Sequence, residues 1–127
     1  MDTQMLIGAT MVDGTETEER ILNPRTGAVI ATLPEASLAQ VDEAVTAAEA
    51  AFATWSRTTP AARSGYLLKI AERIEAEAES LAALESLNCG KPGPLALGDE
   101  LPAIVDCFRF FAGAVRCQQG AVAGEYL

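Results

Sequence analysis

The sequence predicts a mostly α-helical segment behind an N-terminal β-hairpin region, and three observations carry that expectation. From Leu38 onward apolar residues recur at spacings of three and four, the stripe of a helix. Half of the residues are hydrophobic but only 6% are aromatic, so much of the apolar content is alanine and leucine, which favour helix. Residues 1–36 instead carry short apolar runs punctuated by Gly, Pro and Asp, the mark of strands and turns. At 127 residues the chain is one domain at most, long enough to bury a core. The expected layout is a single partial domain over 1–127, with strands and turns to 36, three helices over 37–119 and the start of a departing loop or strand over 120–127.

The elements follow in order. Met5-Leu6-Ile7 and Met11-Val12 flank Gly8-Ala9-Thr10, and Asp13-Gly14 adds a turn signal. Arg20-Ile21-Leu22 runs into Asn23-Pro24-Arg25-Thr26-Gly27, where Pro24 presets φ and Gly27 permits a positive one. Ala28 to Leu33 is the returning strand, closed by Pro34, so the loop joins a hairpin. The first helix opens at a capping box, Ser37 with Gln40, and carries Leu38, Val41, Val45, Ala48, Phe52 and Trp55 on one stripe. The second opens at Thr59-Pro60, with threonine as N-cap and proline at the first helical position. Leu67, Ile70, Ile74, Leu81 and Leu84 form its apolar face, and Gly90 and Pro92 end it. The acidic run Glu72, Glu75, Glu77, Glu79 with Arg73 is its solvated back. The third helix is expected from about Leu95 to Cys117, kinked at Pro102, with Ile104, Cys107, Phe108, Phe111 and Val115 inward.

Composition excludes several functions. Nine basic against 18 acidic residues give a net charge of −9, which repels nucleic acid and anionic membrane surfaces. The chain has no histidine, removing the commonest general base and the commonest metal ligand together. Three widely spaced cysteines and no signal peptide point to a reducing cytoplasm rather than a disulfide framework. No apolar run approaches the roughly 20 residues that span a bilayer.

With those elements placed, the chain resembles the N-terminal part of the NAD(P)-dependent aldehyde dehydrogenase superfamily. The resemblance rests on an opening hairpin, Asn-Pro-x-Thr-Gly at 23–27, Ala51-Phe52 with Trp55, Arg63 with Leu67 and Leu68, Gly90-Lys91-Pro92, and Arg109-Phe110-Phe111-Ala112-Gly113. Within the family, Asn88-Cys89-Gly90-Lys91-Pro92 and the run Asp99 to Asp106 look most like the γ-aminobutyraldehyde (1-pyrroline) dehydrogenases. One local departure is Gly8-Ala9-Thr10, where the family's opening hairpin usually carries an Asn-Gly or Asp-Gly turn, so a looser hairpin is expected. The resemblance implies an α/β parent fold of Rossmann type and oxidation of an aminoaldehyde such as 4-aminobutanal. Hydride would pass from a thiohemiacetal to NAD⁺, and the thioester would then be hydrolysed. The family's catalytic cysteine, glutamate base, asparagine oxyanion donor and dinucleotide loop lie downstream of Leu127. The chain alone is therefore expected to bind no NAD and to oxidise nothing.

Cys89 invites reading as a nucleophile, but it stands at a helix C-terminus, where the negative end of the dipole raises a thiol pKa. Cys89, Cys107 and Cys117 are read as small structural hydrophobes. Lys91 lacks the glycine spacing and the following Ser/Thr of a phosphate loop and belongs to a chain reversal between helices. Glu100, Ala103, Cys107 and Phe111 fall on one helical face. Taken by itself, Glu100 is an acid near a helix start, stabilised by the dipole. The resemblance implies instead a wall of the substrate tunnel formed by Glu100, Ala103 and Cys107, where Glu100 holds the substrate ammonium and Ala103 keeps the channel wide. Through the same resemblance the Leu22 carbonyl and Asn88 correspond to positions that hold a structural monovalent cation, with asparagine in place of the more usual aspartate.

Two other classes compete: a non-catalytic chain or helical interaction module, and one half of a split enzyme. In each, the apolar stripes would be covered by the remainder of the fold or by self-association.

Overall fold

The computed structural model describes residues 3–118. They form two compact units that divide after Arg57.

The first unit opens with β1 (Met5–Ile7) and β2 (Thr10–Val12), antiparallel, with Met5 opposite Val12 and Ile7 opposite Thr10. That register leaves Gly8-Ala9 as a two-residue turn. Gly8 has φ +62° and, among the described residues, no non-glycine residue has a positive φ, the signature of a II′ connection with glycine first. The missing Asn-Gly therefore changes the turn type and keeps the tight hairpin. β3 (Glu18–Leu22) pairs antiparallel with β4 (Val29–Pro34), Glu18 opposite Pro34, with an irregularity between Ile21 and Leu22. In the connecting loop the Asn23 side chain accepts from Arg25 N–H at 2.9 Å, and Gly27, at φ +72°, donates to the Asn23 carbonyl at 2.8 Å.

α1 (Leu38–Trp55) begins with the expected capping box, each partner of Ser37 and Gln40 bonding the other's backbone N–H. Gln40 also reaches back to the loop before β3: its Nε2 donates to the Asp13 carbonyl at 2.7 Å, and Thr15 Oγ1 donates to its Oε1 at 3.1 Å. α1 packs on β1, where Ile7 is buried. Its apolar stripe is where the periodicity predicts, yet α1 has no buried residue: Leu38, Val41, Val45, Phe52 and Trp55 are all exposed.

The second unit differs from the expected two helices. α2 (Pro60–Ala76) starts at the Thr59 cap, whose side chain accepts from Ala62 N–H. It ends at Glu77, where φ −109° and ψ 14° break the helix before α3 (Ala78–Cys89). No glycine or proline stands at that break. The two parts serve different neighbours, α2 packing along the last helix and α3 on the turns that follow it, which one straight helix could not do. Gly90, left-handed at φ +75°, closes α3.

The expected third helix is divided into α4 (Gly93–Leu95), a π turn (Ala96–Glu100) and α5 (Leu101–Ala114). Pro102 produces no break. The π turn, with Leu101 N–H donating five residues back to Ala96, widens the backbone just before the proline ring meets the preceding turn. The inward stripe is also shifted. Val105 and Ala112 are buried and Leu101, Phe108 and Val115 half-buried, whereas Ile104, Cys107 and Phe111 lie exposed. Small residues decide the phase: the core of this unit is Ala71, Ala82, Ala96, Val105 and Ala112, which let helices approach closely. Arg109 ties α5 to α2 with a two-pronged bond to Glu75, Nη1 to Oε1 at 3.0 Å. The expected departing segment at 120–127 lies outside the described residues.

Candidate functional site at the chain reversal

The reversal after α3 brings Glu85, Lys91 and Glu100 together. Gly90 turns the chain, its N–H bonding the Ser86 carbonyl at 3.1 Å, and Pro92 accepts from Leu95 and Ala96 to start α4. Lys91 is thereby aimed between two carboxylates. Its Nζ donates to Glu100 Oε1 and lies 3.8 Å from Glu85 Oε1. The bond to Glu100 holds the Lys91 ammonium above its ordinary range. Cys89 Sγ donates to Glu85 Oε1 at 3.1 Å, and that bond pushes the thiol pKa up. The direction agrees with an unreactive cysteine, but the leading cause is the carboxylate rather than the helix dipole. All three cysteines are exposed, so none is the buried small hydrophobe expected.

Behind this cluster a cavity of about 240 Å³ opens between α3 and α5, walled by Leu81, Leu84, Ala96, Leu101 and Ile104, with Glu85 and Glu100 on its lining. Of the residues expected at a substrate wall, Glu100 reaches this cavity; Ala103 and Cys107 are exposed on α5 and are not among its walls. Sequence reading missed Lys91 and Glu85 as its neighbours. The only available signal was the Gly90-Pro92 pair, which marks a reversal without saying which charges it brings together.

Leu22 ends β3 in the first unit, and Asn88 is exposed on α3 in the second. Among the described residues no group of three or more Cys, Asp or Glu could hold a metal ion. The described residues do not fit a dinucleotide either. Both sheets are isolated antiparallel pairs, so there is no parallel strand–helix–strand turn to receive a pyrophosphate. In the first unit a separate, almost wholly apolar groove of about 390 Å³ runs between β1 and α1, lined by Met5, Leu6, Ile7, Val41 and Val45. No described helix is long and apolar enough to cross a membrane.

The pattern of the aldehyde dehydrogenase family matches residues 11–125. The chain belongs to the aldehyde dehydrogenase family. This aldehyde dehydrogenase chain is 42% identical over 100 residues to acetaldehyde dehydrogenase 2 of Cupriavidus necator, covering 79% of the chain and 20% of that protein. It is 37% identical over 102 residues to a long-chain-aldehyde dehydrogenase of an Acinetobacter species, covering 80% and 20%. The structure is similar to PnpE of Pseudomonas sp. WBC-3 in complex with nicotinamide adenine dinucleotide, at TM-score 0.90 and 38% identity over 98% of this chain and 26% of that one. The chain thus spans 20% of the length of the curated relatives it matches. The family fold is shared, and the segment itself is mostly helical with small antiparallel strand pairs at its start.

Proposed function

We propose that this chain forms the N-terminal segment of an enzyme that oxidises an aldehyde to its acid with NAD, and that it supplies part of the substrate entrance rather than reacting groups. The observation that carries the reading is the likeness to NAD-bound PnpE over 98% of this chain and 26% of that one. The remainder of the fold would cover the α1 stripe; self-association through that stripe is the substitute when the remainder is missing. A cytoplasmic location belongs to the same proposal.

Two substrate classes compete. An aminoaldehyde such as 4-aminobutanal is supported by the resemblance at 88–92 and 99–106 and by Glu100 on an otherwise apolar cavity. An ammonium leaving water for such a place must regain charge and hydrogen bonds. An uncharged aldehyde is supported by Lys91, which already bonds Glu100, and by relatives named for acetaldehyde and long-chain aldehydes. The test is Glu100→Ala in the complete enzyme, assayed with 4-aminobutanal and with butanal. A rise in KM confined to 4-aminobutanal supports the aminoaldehyde reading; equal effects on both substrates remove it. NAD⁺ reduction by the 127 residues alone would overturn the non-catalytic role assigned to the segment.

A further inference from the structure

The lysine side chain is chemically a butylammonium tethered at Cα, and Lys91 places that ammonium on Glu100 at the rim of the α3–α5 cavity. The pair is partly shielded, Lys91 being 29% and Glu100 39% exposed at the side chain. Lys91 also stands 3.8 Å from Glu85, the other carboxylate on the lining, whose Oε1 accepts from Cys89 as well. The ammonium position that an aminoaldehyde would need is thus filled from within the chain. A free ligand has to displace a cation that loses no translational freedom on binding.

We propose that Lys91 is a specificity-determining residue: an internal competitor for the ammonium position at Glu100 that biases the cavity toward uncharged aldehydes. The inference rests on the reading of the α3–α5 cavity, with Glu100 on its lining, as part of the substrate entrance. Lys91 acts through Glu100 and touches no reacting atom. The Gly90-Pro92 reversal sets its reach, because the left-handed Gly90 and the α4 start fix the chain on both sides of it.

The experiment is a methyl NMR titration of the full 127-residue chain with n-butylammonium and with 1-butanol, read at Leu81, Leu84, Leu101 and Ile104. In the native chain butylammonium binds no better than butanol. Lys91→Met raises butylammonium affinity about two- to fivefold, the worth of a partly exposed ion pair, and leaves butanol unchanged. Lys91→Arg keeps the native ratio, and Glu100→Gln added to Lys91→Met removes the gain. An unchanged ratio in Lys91→Met, with butanol still bound, overturns the inference and leaves the substrate-entrance reading standing. Methyl resonances that neither ligand moves in any variant overturn the substrate-entrance reading and the inference with it.

Discussion

Lys91 donates to Glu100 across a nine-residue interval, closing the chain reversal between α3 and the π turn. The bond holds the lysine pKa above its ordinary 10.5. A group whose folded pKa is raised contributes stability that is fully present below the unfolded value and is lost as pH rises through the folded one. On the lysine side the pair therefore stands throughout the neutral range and its contribution is lost as pH rises above 10.5. NMR titration of the Lys91 ammonium should give a midpoint above 10.5 in the native chain and a lower one in Glu100→Gln.

Cys89 should react slowly with iodoacetamide despite its exposure, because its S–H donates to the Glu85 carboxylate, which disfavours the thiolate. Glu85→Gln should speed alkylation at pH 8, measured by mass spectrometry of the Cys89 peptide. An unchanged rate would show that the carboxylate does not control the thiol.

Two glycines should respond to alanine with opposite signs. At Gly14 an added Cβ would lie 2.1 Å from the Pro34 carbonyl oxygen and 2.4 Å from that of Glu35. Backbone must move there, at a cost of about 1–3 kcal/mol. At Gly65, inside α2, a Cβ meets nothing within 4 Å, and alanine should gain about 0.5–1 kcal/mol from helix propensity. Thermal denaturation of both variants checks the pair.

The α2–α5 contact should tolerate no enlargement. Ala71→Leu or Ala112→Leu overpacks positions that are 0% and 2% exposed and should cost about 1–3 kcal/mol. Phe110→Ser, at a site 67% exposed, should cost under about 0.5 kcal/mol. Denaturant midpoints distinguish the two outcomes.

What was legible in the sequence is what local chemistry controls. Ser37 with Gln40 and Thr59 with Pro60 fix the starts of α1 and α2 because both caps are satisfied within four residues. The break at Glu77 carries no local signal, since packing imposes it. The phase of α5 was also ambiguous: Ile104, Cys107 and Phe111 make as good an apolar stripe as Leu101, Val105 and Phe108. Close approach through Ala71 and Ala112 selects the second. At the site, the family resemblance singled out Glu100, whose helical position alone reads as an acid near a helix start. Its partner could not be singled out, because that depends on where the left-handed Gly90 turns the chain.

The uncovered α1 stripe should make the isolated chain associate. Light scattering should find species larger than a monomer, and Val45→Lys with Phe52→Ser should reduce them, since both positions are more than 60% exposed.

The proposal that this chain forms the N-terminal segment of an aldehyde-oxidising enzyme is tested most directly by complementation. The 127-residue chain would be co-expressed with PnpE lacking its matching segment, and NADH formation followed with butanal and 4-aminobutanal. Aldehyde-dependent NADH is expected from the two pieces together and none from either alone. NADH from this chain alone, or two pieces that neither associate nor form NADH, would contradict the proposal.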